Sequence, residues 1–132
     1  MVPENFLNAL LYFAVSALIL SFAVWVFFRV TPYDDSEEIQ KGNGAVGLTL
    51  FAKMFGLGLI LWSAISHNDT LQETVIWGLF GAALMIFSYL LFDWMTPKLS
   101  TREELQKGNM AVAWVQSGIF ITLGVIINAC IS

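Results

Sequence analysis

Four long apolar runs, each nearly free of charge, leave this chain few ways to fold. Residues 6–28 hold no Asp, Glu, Lys or Arg at any of 23 positions, and an α-helix rising about 1.5 Å per residue crosses a hydrocarbon core of roughly 30 Å with about 20 such residues. Residues 44–66, interrupted only by Lys53, then 74–92 and 110–131 have similar length and character. Hydrophobic residues make up 58% of the chain and charged residues 12%, against roughly 45–50% and 25% in soluble domains. In water this composition would leave large apolar patches exposed, whereas lipid solvates them. Backbone groups inside a bilayer must bond within the spanning segment, so the runs are expected to be helices. The expectation is an all-α, polytopic membrane protein: one domain over 1–132 with four transmembrane helices.

The connections divide into two kinds. Residues 67–73 form a short polar turn, while the longer connections, 29–43 and 93–109, both carry one motif. Glu37-Glu38-Ile39-Gln40-Lys41-Gly42-Asn43 returns as Glu103-Glu104-Leu105-Gln106-Lys107-Gly108-Asn109, with one residue changed. Each copy follows a Thr-Pro pair (Thr31-Pro32, Thr96-Pro97) and leads into Ala-Val (Ala45-Val46, Ala111-Val112). The chain reads as two tandem two-span repeats, about 6–66 and about 71–131. Two crossings return a chain to its starting side, so the repeats are parallel rather than inverted, with a pseudo-twofold axis along the membrane normal. Arg29, Lys41, Lys98, Arg102 and Lys107 all lie at the motif loops, which places those loops in the cytoplasm and both termini outside. The first run follows no basic residue and exceeds a signal-peptide core, so it is expected to be retained. Trp25, Tyr33, Tyr89 and Trp94 would mark the motif-side interface, with Trp114 in that half, and Trp62 and Trp77 the opposite one.

The motif has a local reading. Pro97 halts the third span, and Ser100-Thr101-Arg102-Glu103 matches a capping box that opens a new helix. In the first copy Ser36 is the expected cap. Glu37, Glu38, Glu103 and Glu104 then sit in first turns, where the helix dipole favours acids, and Glu37–Lys41 and Glu103–Lys107 form i,i+4 pairs. Gly42 and Gly108, read as lying inside a helix, cost about 1 kcal/mol each, which points to close packing or a bend. Asn43 and Asn109 either bond a neighbouring helix and pin the halves together or, with the glutamates, line a polar vestibule.

Some polar residues break the repeat. Lys53 falls about 14 Å along its span, near the midplane, where Ile119 stands in the second copy; Asp93, opposite Phe28, is its expected partner. Gln116, opposite Leu50, shares a face with Asn109. A charge at that depth costs at least ~2.5 kcal/mol and should face the bundle interior. Small residues at Ala17/Ser21, Thr49, Gly56/Gly58, Gly78/Ala82 and Ala113/Ser117 suit close helix packing.

Several functions drop out. Net charge is −4 with scattered basic residues, unlike a nucleic-acid binder. His67 is alone, Cys130 sits in the last apolar run, and no nucleophile has an activating partner, so no catalytic, cofactor or metal residues are expected.

With both motif copies placed between spans, the chain resembles the bacterial membrane proteins grouped as domain of unknown function 350. That resemblance implies a four-span inner-membrane protein with no assigned activity, and neighbourhood with phage-shock-type proteins implies a supporting role in membrane maintenance. The leading expectation is a non-enzymatic component of envelope maintenance or stress response. It would be a homo-oligomer in the lipid bilayer, docking a cytoplasmic stress-response or membrane-remodelling protein through its motif loops. The alternative is a small oligomeric channel or transporter for ions or small polar cations, using Lys53, Asp93, Gln116, Asn43 and Asn109.

Overall fold

The computed structural model describes residues 3–30, 35–95 and 101–132, and among these every regular element is a helix. In chain order they are α1 (Pro3–Val30), α2 (Asp35–Gln40), α3 (Gly44–Ser66), α4 (Leu71–Met95), α5 (Thr101–Gln106) and α6 (Met110–Cys130). Four of them, α1, α3, α4 and α6, are long and apolar enough to cross a membrane. Phe6, Leu10, Phe13 and Leu18 on α1, Phe51 and Phe55 on α3, and Phe80 and Phe87 on α4 are exposed, a surface that lipid rather than water satisfies. This is an all-α, multi-pass membrane protein.

The ends of the spans are set by local bonds. α4 starts three residues earlier than its apolar run because Thr70 caps it: the Glu73 amide donates to Thr70 Oγ1 at 3.1 Å, and that hydroxyl donates to the Glu73 carboxylate at 3.0 Å. The turn before it is braced by Asn68 Nδ2 and Thr74 Oγ1, both donating to the Ala64 carbonyl (2.8 and 3.3 Å). α2 already begins at Asp35, so Ser36 lies in its first turn rather than capping it. Ser100 and Pro97 lie outside the described residues.

Packing centres on α3. Half of its most apolar window is buried inside the molecule, against 17% for α1. Its principal partner is α6, along a parallel seam. The two backbones touch where a Cβ on Gly124 would lie 2.6 Å from the Gly56 Cα, and one on Gly56 would lie 2.9 Å from the Phe120 carbonyl oxygen. Any side chain at either position would force the helices apart. Farther along, Ser63 Oγ donates to the Asn128 carbonyl at 2.8 Å and Asn128 Nδ2 donates to that of Leu59, tying the same pair at the end away from the motifs. Gly81 gives the Ile60 side chain its space, joining α4 to α3. α1 lies against α3 and α4 mainly through Ile19, Ala23 and Phe27.

Candidate functional site

Two kinds of polar arrangement stand out, one at the corners between short and long helices and one in the middle of the bundle.

At each corner the chain makes a tight helix-to-helix turn. The Asn43 amide bonds to the Glu38 carbonyl at 2.9 Å and the Gly42 amide to that of Ile39 at 2.9 Å; Asn109 and Gly108 bond to Glu104 and Leu105 at 2.9 and 3.0 Å. This 6→1 and 5→2 pairing is a Schellman closure, which needs a left-handed residue after the helix. Gly42 (φ +84°) and Gly108 (φ +86°) supply it, where an L-residue costs about 1–2 kcal/mol. The glycines are therefore not inside a helix: each ends a short one. The asparagine that follows starts the next helix. Asn43 Oδ1 accepts from the Ala45 and Val46 amides (3.1 and 3.3 Å), and Asn109 Oδ1 from those of Ala111 and Val112 (3.1 and 3.4 Å), which satisfies donors that a helix start leaves open. Each side-chain amide turns back to the motif's second glutamate, Asn43 to Glu38 at 3.0 Å and Asn109 to Glu104 at 2.9 Å.

Glu38 is buried and Glu104 half-buried, so these carboxylates brace the corners. Glu37 and Glu103 are exposed. Lys41 lies 3.2 Å from Glu37 and 3.8 Å from Glu38. The hydrogen bond and charge of Glu37, helped by the charge of Glu38, raise Lys41 above the ordinary lysine value. Asn43 alone reaches across: its amide also donates to the carbonyls of Leu105 and Gln106 at 3.0 and 3.1 Å, tying the end of α5 to the start of α3. Among the described residues Asn109 makes no such bond to α2.

The second arrangement surrounds Lys53, ten residues past Asn43 and about 15 Å along α3. Lys53 is 3% exposed. Its Nζ lies over three rings, Phe27 at 5.2 Å, Phe120 at 5.4 Å and Tyr89 at 5.5 Å from their centroids. The rings also pack on one another, Phe27 edge-on to both others and Tyr89 stacked on Phe120 at 5.3 Å. Ring faces carry the negative lobe of the quadrupole, and three of them around an ammonium partly replace the water it has lost. Phe27 belongs to α1, Tyr89 to α4 and Phe120 to α6, so every span contributes one residue. Tyr89 is thus a wall of this box rather than an interface anchor. Trp25, Trp62, Trp77, Trp94 and Trp114 are exposed, and the Arg29 guanidinium lies 5.4 Å over the Trp25 ring.

The remaining sequence-derived positions fall near this box. Asp93 is half-buried one turn past Tyr89 on α4. Gln116, one turn before Phe120 on α6, is buried, and its Oε1 has no hydrogen-bond partner; the same holds for Ser117 Oγ and, on α1, Ser16 Oγ. The corners and the box are separate: between them lies an apolar cluster of Ala45, Val46, Leu105 and Ala113. Sequence reasoning did not find the three rings or Gly124. A glycine facing Gly56 across parallel helices was the available sign for the latter. Among the described residues no three His, Cys, Asp or Glu side chains gather as metal ligands.

Comparison with known proteins agrees with the fold. The chain is 32% identical over 118 residues, 89% of its length and 88% of the relative's, to the UPF0719 transmembrane protein YshE of Bacillus subtilis (strain 168). A UPF0719 transmembrane protein of Aquifex aeolicus (strain VF5) is 22% identical over 120 residues, 86% of this chain but 45% of that longer protein. No solved structure matches. The model of the family described as Domain of Unknown Function (DUF350) matches residues 1–131, and the chain belongs to that family.

Proposed function

We propose that this protein moves small ions, or couples to their movement, across a bacterial inner membrane, with Lys53 as its working charge and no covalent catalysis. The burial of Lys53 in a box walled by all three other spans is the observation that carries this reading. Ionisable groups at mid-span are expensive and concentrate on ion and proton pathways. A docking role for the motif glutamates draws less support, because Glu38 and Glu104 already bond the corner asparagines. In this reading the motif corners face the cytoplasm, following the basic residues, and both termini lie outside. The two halves are tandem parallel repeats, and the exposed apolar faces of α1 and α4 meet other copies in a homo-oligomer.

Purified protein in liposomes tests this. Imposed gradients of protons, potassium and chloride should include at least one that decays faster than in empty vesicles, and Lys53→Leu should abolish the difference. Lys53→Leu removes the charge while keeping an apolar side chain in the box, and size-exclusion chromatography checks that the variant folds. Decay equal to that of empty vesicles for all three gradients would sink the proposal.

A further inference from the structure

Building on that reading of Lys53, we infer that a water-holding chamber lies between α3 and α6, reaching Lys53 from the motif end and closed there by Leu105 of α5.

The chamber is placed by register. α3 and α6 start at adjacent corners and run parallel, and Gly56, thirteen residues past Asn43, meets Phe120 and Gly124, eleven and fifteen past Asn109. Residues equally far from their caps therefore share a level. Thr49 is six past its cap, Gln116 and Ser117 seven and eight, and Lys53 ten. Thr49, Gln116 and Ser117 are all at least 97% buried and thus form a polar layer on the motif side of Lys53. Helix side chains lean towards the N-terminus, which carries the lysine stem towards this layer.

The layer has unmet hydrogen bonding. Gln116 Oε1 is an acceptor without a donor and Ser117 Oγ is unpartnered. Thr49 Oγ1 donates to the Val46 carbonyl at 2.9 Å and keeps its lone pairs. An orphaned buried polar atom costs about 1–3 kcal/mol. Water is the ligand that fits, since it can donate to Gln116 and Thr49 and exchange a bond with Ser117, giving the two to four partners that a buried water needs.

The two exits differ. Away from the motif, the Gly56/Gly124 contact is backbone on backbone, followed by fully or nearly fully buried Leu57, Ile60 and Ile127. Towards the motif the cover is Ala45, Val46 and Ala113 with one large side chain from outside the spans, Leu105 (2% exposed). Leu105 rides on a six-residue helix held at its carbonyls by Asn43. The motif end is therefore the exit that can open, with Leu105 as its stopper and Asn43 as the latch.

Cysteine accessibility tests this in a Cys130→Ser background. Ser117→Cys should react with a small charged methanethiosulfonate added on the motif side and not on the other. Both Leu105→Ala and Asn43→Ser, which keeps a capping oxygen but loses the amide donor, should raise that rate at least tenfold. Ile60→Cys, beyond the glycine contact, should stay unlabelled from both sides. The inference is overturned if Ser117→Cys resists labelling from the motif side in both release variants while exposed Lys41→Cys reacts. Equal labelling from both sides overturns it too. Labelling needs no flux: vesicles that conduct nothing but label as described would remove the transport reading and leave the chamber in place.

Discussion

The two corners share a motif that differs at one position, and their internal bonds match within 0.1 Å, yet they do different jobs. Ile39 is 39% exposed and its counterpart Leu105 is 2% exposed. Asn43 bonds the end of the other corner's short helix, and Asn109 does not. Lys41 pairs with both glutamates of its own copy, while among the described residues Lys107 forms no ion pair. Local sequence sets the turn, and the surroundings decide whether it is a hinge pin or a stopper.

That contrast can be broken by paired substitutions. The largest effect should come from Leu105→Ala, which empties a buried site and costs about 2–5 kcal/mol, against no more than about 0.5 kcal/mol for Ile39→Ala at an exposed one. Unfolding in detergent with increasing dodecyl sulfate measures both, and similar losses would mean that Leu105 is not seated between α3 and α6. Next comes Asn43→Ala against Asn109→Ala. Each removes a cap worth about 1 kcal/mol, but the first also breaks the hydrogen bond that Asn43 shares between the Leu105 and Gln106 carbonyls, worth about 1 kcal/mol. A gap of about 1 kcal/mol is expected, and none would show that the cross-contact carries no stability. Smallest is Lys41→Met against Lys107→Met. Because its glutamates raise Lys41, its contribution is fully present below the ordinary lysine value of about 10.4 and is lost as pH climbs through the raised one. The pair is exposed and screened, so the difference should be barely resolvable at low salt and absent at high salt. A Lys41 effect growing with alkalinity would reverse that sign.

Much of the architecture was legible because length and apolarity alone demand spanning helices: α3 runs over the residues its apolar run marks, 44–66. Span ends were harder. The start of α4 was written in Thr70-x-x-Glu73, a cap pattern easily passed over as a polar turn. Gly-Asn was misread for a similar reason. Taken as part of one continuous helix the glycine looks costly, whereas a stop glycine followed by a start asparagine is what two consecutive helices require. The aromatic box was illegible on physical grounds. Helices that are apolar all round carry no polar face to fix their rotation, so sequence does not say whether Phe27 or Phe28, or Tyr89 or Leu90, turns inward. Lys53 could be recognised as a charge needing company, but the rings that surround it depend on how four helices settle against one another.

The box also bears on the order in which the chain is made. Phe27 enters the membrane before Lys53, but Tyr89 and Phe120 are synthesised 36 and 67 residues after it. Until α4 follows, the ammonium therefore has one wall of three in place, and until α6 follows it has two, at a depth where a charge costs at least ~2.5 kcal/mol. Only the arrival of α6 completes its surroundings. A chain cut short before Phe120 would keep that ammonium at mid-span with one of its three rings missing.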